Sequence, residues 1–199
     1  MRVFPVLEIA CFSRRDAFVA QQAGAHRIEF CSGYASGGVS APPTVVEEVC
    51  RGAGVPVVAM LRPRPGNFVY SEKEWAGMMR LLDQYLKAGV AGIAVGCLRP
   101  DGRLDVARMA RLVATAAPVQ VTLHRAFDLT PNPLATVQMA CDLGIARILT
   151  AGRAAGALQG LPVLRQLVAH SQGRIEIMAG GGVRSGNLKQ LLEKSGLCA

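Results

Sequence analysis

The sequence predicts an α/β fold: a TIM-type (β/α) barrel of seven strand–helix units, with the eighth strand apparently missing at the C-terminus. Three observations lead there. An amphipathic helix, a small turn and a short apolar strand recur in that order along the chain, and such regular alternation implies parallel strands joined by right-handed helical crossovers. The strands are apolar almost throughout, as strands covered on both faces are. The composition agrees, with 51% hydrophobic and 18% charged residues and a mean hydropathy of +0.29. At 199 residues the chain suits a single domain over 1–199, although an eight-unit barrel usually needs about 250 residues.

Taken in order, Val6–Ala10 reads as the opening strand, followed by a helix over about 13–22. Gly24 ends that helix, and a second strand runs to Phe30. A helix over 41–51 leads through Gly54 to a strand ending at Met60. The helix over 72–87 starts at Ser71 with Glu74 three residues on, which is a capping box. Gly89 and a strand to Val95 follow, then a helix over 105–116, a turn at Pro118 and a strand to Leu123. Pro133 suits the first turn of a helix over 133–143, after which Gly144 precedes a strand to Leu149. The last full phrase is a helix over 158–170, Gly173 and a strand to Met178, and a helix over 185–194 comes after it. The glycines stand at helix ends, where a left-handed residue is least costly. Leu191 to Gly196 begins an eighth phrase, and the sequence stops at Ala199 with its strand still due.

A doubly wound open sheet is the structural rival. Its marker after the first strand, GxGxxG, is replaced here by Cys11, Phe12, Ser13 and Arg14. The net charge of +8 raises nucleic acid as a partner, but the arginines are scattered, with no basic run and no aromatic-studded strand. We therefore expect no nucleic-acid partner, and an arginine-rich surface with some arginines binding a small anionic ligand. No apolar stretch is long enough to span a bilayer, and Glu8 comes too early for a secretory signal. A cytoplasmic protein with no membrane contact is expected, its six scattered cysteines remaining thiols.

In a TIM-type barrel the active site lies at the C-terminal ends of the strands. Side-chain alternation sends Glu8, Glu29, Cys31, Thr122 and His124 inward, with Leu7, Ile9, Ile28 and Phe30 facing the helices. Inward ionisable groups must be paired or wetted, so Glu8, Glu29, His124 and Arg62 are expected to meet near the barrel mouth. Glu8, Glu29, His124 and Asp128 are the candidate acid–base groups, and Arg62, Arg64, Arg125, Thr150, Gly181 and Gly182 the candidate substrate contacts. A structural ion-pair network is the plainer alternative. Gly180–Gly182 runs into a helix and either cradles an anion with its backbone amides or is a tight turn. Cys11 and Cys31 end adjacent strands and are soft enough for copper(I), although alternation sets Cys11 outward; the plainer view makes both small buried hydrophobes.

Together these residues resemble the copper homeostasis protein CutC family over nearly the whole chain. Leu7 to Cys11 is similar to its first strand, and Arg27 to Ser32 to its second, with Gly37 and Gly38 in the loop beyond. Arg62, Pro63 and Arg64 with Phe68 and Tyr70 match its third-strand loop. The run from His124 to Asp128 is the most specific motif, followed by Arg147 to Thr150 with Gly152 and by Gly180 to Val183. The departures are Pro65 and Asn67, where the family has glycine and aspartate, Ala151 for serine, Ala179 for proline, and the absent Glu-Phe-His segment of the last strand. The resemblance implies a TIM-type barrel, a cytoplasmic location, self-association and a role in copper homeostasis, with weak copper(I) binding at Cys11 and Cys31. The residues themselves equally suggest a metal-independent barrel enzyme on a small phosphate or carboxylate. A barrel lacking one strand would expose the edges of its first and seventh strands, which either a homodimer or the last helix would cover.

Overall fold

The structure, a computed structural model, describes residues 5–197. Seven strands alternate with seven α-helices: β1 (Glu8–Cys11), α1 (Arg14–Gln22), β2 (Arg27–Phe30), α2 (Pro43–Gly52), β3 (Val57–Met60), α3 (Glu72–Lys87), β4 (Gly92–Val95), α4 (Val106–Ala116), β5 (Gln120–Leu123), α5 (Pro133–Asp142), β6 (Arg147–Thr150), α6 (Leu161–Ser171), β7 (Glu176–Ala179) and α7 (Ser185–Ser195). The hydrogen-bonded strand order follows the chain order from β1 to β7. Neighbours pair in parallel. That is TIM-type connectivity with seven strands among the described residues, and the reversal of order that defines a doubly wound sheet does not occur. No strand follows α7 among the described residues. No helix among them is long and apolar enough to cross a membrane.

The described chain forms two compact units. The first holds residues 6–95 and 114–121, hence β1 to β4 with α1 to α3. Ile28 and Phe30 are fully buried, as the alternation of β2 requires, with Val46, Val49, Leu82 and Tyr85 from the helices. Tyr85 is held in place by its hydroxyl, which donates to the Ala41 carbonyl at 2.6 Å. The α3 start is the capping box expected from Ser71 and Glu74. The second unit holds residues 96–113 and 122–197, including β6, β7 and α5 to α7. Its core includes Ile148, Leu164, Leu167 and Leu191.

Three expectations need correction. The first strand runs over Glu8–Cys11 rather than Val6–Ala10. His26 Nδ1 accepts the Leu7 N–H, so that group leaves the ladder, while the Cys11 carbonyl stays in it by accepting from Cys31 N–H. Gly54 is not a left-handed cap: α2 runs over Pro43–Gly52, slightly later than the expected 41–51, with an extended Ala53 after it. The Gly54 N–H instead donates to Gln21 Oε1. The sixth helix begins at Leu161, not 158, because Gly160 packs directly under the Ala151 carbonyl and the preceding residues are spent on that turn. Gly24, Gly89, Gly144 and Gly173 do take the left-handed conformation expected of them.

Candidate functional site

In the first unit, Glu8 is the first residue of β1 and pairs in register with Arg27, the first residue of β2. Their side chains form a short ion pair that is almost completely buried. Glu8 thus stands at the N-terminal end of its strand, locked to a partner the sequence reading did not name. Glu29 lies two residues further along β2, opposite Ala10 on one side and Val58 on the other. Only 7% of it is exposed, and its Oε1 has no hydrogen-bond partner among the described residues. Burial, and then the nearby Glu8 charge, push this carboxyl up to about 8. Glu29 is therefore largely protonated at neutral pH, a form that both donates and accepts.

Arg62 and Arg64 leave β3 for the loop that precedes α3, and both are committed to protein partners. Arg62 donates from Nη1 to the carbonyls of Ser36, Gly37 and Gly38, the last at 3.0 Å, and from Nη2 to Gly66 at 3.1 Å. Its guanidinium also lies 4.9 Å over the Phe68 ring. Its Nε is buried and without a hydrogen-bond partner among the described residues. Arg64 pairs with Glu74 at 2.5 Å, donates to the carbonyls of Asn67 and Val69, and covers the Tyr70 ring. Both arginines thus staple loops, and Arg64 offers no open fork for the anion assigned to it.

Parallel register partners project to the same face of a sheet. Cys11 is in register with Phe30, and Cys31 is the residue just past the end of β2. Cys31 packs with Val58, Met60 and Ala94. Burial raises the Cys11 thiol to about 11, with Asp16 and Glu29 adding to it. Burial, then Glu29, Cys11 and Glu8, push the Cys31 thiol up strongly against a smaller opposing effect of Arg62. Copper(I) is bound by thiolates, and burial opposes the ionised form of both cysteines. Among the described residues no three His, Cys, Asp or Glu side chains gather to hold a metal ion.

The second unit gathers a different set. His124 directly follows β5 and caps the short 3-10 turn Arg125–Leu129, its Nδ1 accepting the Ala126 N–H at 3.2 Å. That bond leaves the ring proton on Nε2. The ring, 2% exposed, fits only because residue 96 is glycine: a Cβ there would stand 2.8 Å from the imidazole. Asp128 is an organising carboxylate. It accepts from Arg125 Nε at 3.0 Å, from the Thr150 hydroxyl, and from the backbone N–H groups of Ala151 and Arg153. Thr150 in turn accepts from the Gly152 N–H at 2.9 Å. Asp128 and Thr150 therefore fix the loop after β6.

Arg125, held by Asp128, lays its guanidinium on the loop after β7. A Cβ on Gly181 would stand 3.1 Å from its Nη1, and Gly181 and Gly182 are both left-handed. Gly180 is explained by packing alone, since a Cβ there would overlap the Leu149 side chain. The structure thus brings Arg125, Asp128, Thr150, Gly181 and Gly182 together with His124 nearby in sequence, and Glu8, Glu29, Cys31 and Arg62 together in the first unit. Residues that the sequence reading overlooked are Arg27, Glu74 as the Arg64 partner, Gly96, and the pair Arg147–Glu176. Opposite charges at the first positions of adjacent strands were the signal available for Arg27 and Glu176.

Comparison with known proteins supplies the family context. The model of the CutC family matches residues 6–199. Among solved structures, the CutC protein of Streptococcus agalactiae, which carries a copper-homeostasis assignment, is similar with a TM-score of 0.91 and 26% identity, over 96% of this chain and 95% of that one. The deoxyribose phosphate aldolase of Aeropyrum pernix gives a TM-score of 0.70 at 14% identity, over 97% and 83% of the two chains. The phosphoenolpyruvate phosphomutase of Streptomyces platensis subsp. rosaceus gives 0.61 at 15%, over 98% and 84%. At such identities the last two speak for the fold alone.

Proposed function

Because the chain belongs to the CutC family, we propose that it serves copper homeostasis, and that it does so by binding a small anion at Arg125 and the Gly181–Gly182 loop rather than through a two-thiol copper clamp. The observation that carries this reading is the placement of the Arg125 guanidinium. Asp128 fixes it through Nε alone, which leaves the Nη edge turned to a loop whose glycines present backbone and no side chain. A planar guanidinium beside glycine amides suits a phosphate or carboxylate, which such groups hold by paired charge-assisted bonds. Loops after the last strands of TIM-type barrels are frequent phosphate sites.

Calorimetric titration with inorganic phosphate tests the reading. Arg125 is half-exposed, so Arg125→Ala should fold and should lose roughly tenfold or more in affinity. Equal affinity in the variant removes the proposal. Copper(I) held by Cys11 and Cys31 is the competing reading, supported by the family resemblance. Competition with a chelator under anaerobic reduction decides it, because equal copper(I) uptake by wild type and Cys31→Ser excludes a cysteine clamp. Self-association is also proposed, since β1 and β7 end the strand order and free strand edges are pairing templates. A light-scattering mass of one chain would count against it.

A further inference from the structure

We infer that Glu29 and Arg62 form a second binding site, within the first unit, for a small neutral polyol or hydroxycarbonyl compound. The inference does not rest on the anion site of Arg125. It starts from two polar atoms, Glu29 Oε1 and Arg62 Nε, that are buried with no hydrogen-bond partner among the described residues. Their side chains belong to residues only 7% and 9% exposed. Buried polar groups in native proteins nearly always have partners, so a pair lacking them calls for a ligand or an ordered water.

Gly38 ties the two groups to one place. Its carbonyl accepts from Arg62 Nη1 at 3.0 Å, and a Cβ on it would stand 3.4 Å from the Cys31 Sγ. Cys31 in turn lies two residues beyond Glu29, just past the end of β2. The thiol feels both neighbours, Glu29 raising its pKa and Arg62 opposing. Around it Val58, Met60 and Phe12 supply apolar surface for a carbon frame.

The chemistry selects the ligand class. Arg62 keeps its buried Nε N–H to give, and Glu29, pushed up to about 8, presents a carboxyl that donates and accepts at neutral pH. A hydroxyl answers both, because it too donates and accepts. An anion would add charge beside Glu8, and a cation beside Arg62 and Arg27. Adjacent oxygens on a short neutral carbon chain satisfy both protein groups without adding charge.

The test uses the full chain labelled with carbon-13 at glutamate carboxyls, the Glu29 signal being identified by its loss in Glu29→Gln. Dihydroxyacetone and erythritol are the probes, with acetate as the charged control. The Glu29 signal should move saturably with the neutral probes and not with acetate. Glu29→Leu should weaken dihydroxyacetone binding roughly tenfold or more, whereas Glu29→Gln, whose amide still donates and accepts, should keep most of it. Melting curves establish that each variant is folded, and should Glu29→Leu fail to fold, the wild-type titration decides alone. A Glu29 signal unmoved by either neutral probe means that water alone satisfies the two groups, and the inference falls. It falls equally if acetate is preferred or if Glu29→Leu binds as wild type does.

Discussion

Burial sets the chemistry of Glu29 and makes its effect on stability readable against pH. Its carboxyl titrates near 8 in the folded chain against the ordinary 4.5. The folded state therefore holds a proton that the unfolded state has released between those values, and stability must fall as pH rises through that window. Below about 4.5 and above about 8 this group adds no further slope. Glu29→Gln removes the titration, so wild type should lose stability relative to the variant between pH 5 and 8, by at most about 4 kcal/mol. Melting temperatures across that range check it, and parallel curves would contradict the burial of an ionisable Glu29. Gly96 argues the same way from space. A Cβ there would lie 2.7 Å from the Ala126 Cβ as well as against the imidazole, so Gly96→Ala should cost about 1–3 kcal/mol in chemical denaturation and turn the His124 ring.

The helices and strands were legible because their signals are local. Ser71 and Glu74 mark the start of α3, Pro133 the first turn of α5, and Gly24, Gly89 and Gly144 the chain reversals into β2, β4 and β6. The errors fell where a distant partner decides. Gly54 needs no left-handed backbone because Gln21 of α1 takes its N–H, and residues 158–160 are held out of α6 by the Ala151 carbonyl of another loop. The capping box permits a measurement at this scale. Ser71→Ala leaves the Glu74 N–H without its acceptor and should lower stability by about 1 kcal/mol in urea denaturation. Gly160→Ala should be far worse, since the added carbon would overlap the Ala151 carbonyl rather than a side chain that can turn aside. A Gly160→Ala protein as stable as wild type would mean that the turn before α6 is not packed as described.

Across the molecule, strand alternation revealed which charged residues point inward but not what each one meets there. Glu8 and Glu29 occupy the same face and look interchangeable in sequence; register separates them, giving Glu8 the Arg27 guanidinium and leaving one Glu29 oxygen unpartnered. The second unit repeats the device: Arg147 and Glu176 begin β6 and β7, pair in register, and bond at 3.2 Å, with Arg147 also donating to Thr122. In each unit an ion pair thus stands at the N-terminal ends of adjacent strands, the end of a TIM-type fold where charged residues serve stability. A buried pair of this kind is uneven in its energetics. Removing one partner strands the other charge and costs about 3–5 kcal/mol, whereas replacing both with apolar groups of similar volume is often neutral or stabilising. Glu8→Ala should accordingly destabilise the chain by that amount in urea denaturation, and Glu8→Leu combined with Arg27→Met should recover most of the loss. A double variant as unstable as Glu8→Ala would show that Glu8 is needed as a carboxylate, and would return it to the list of chemical rather than structural groups.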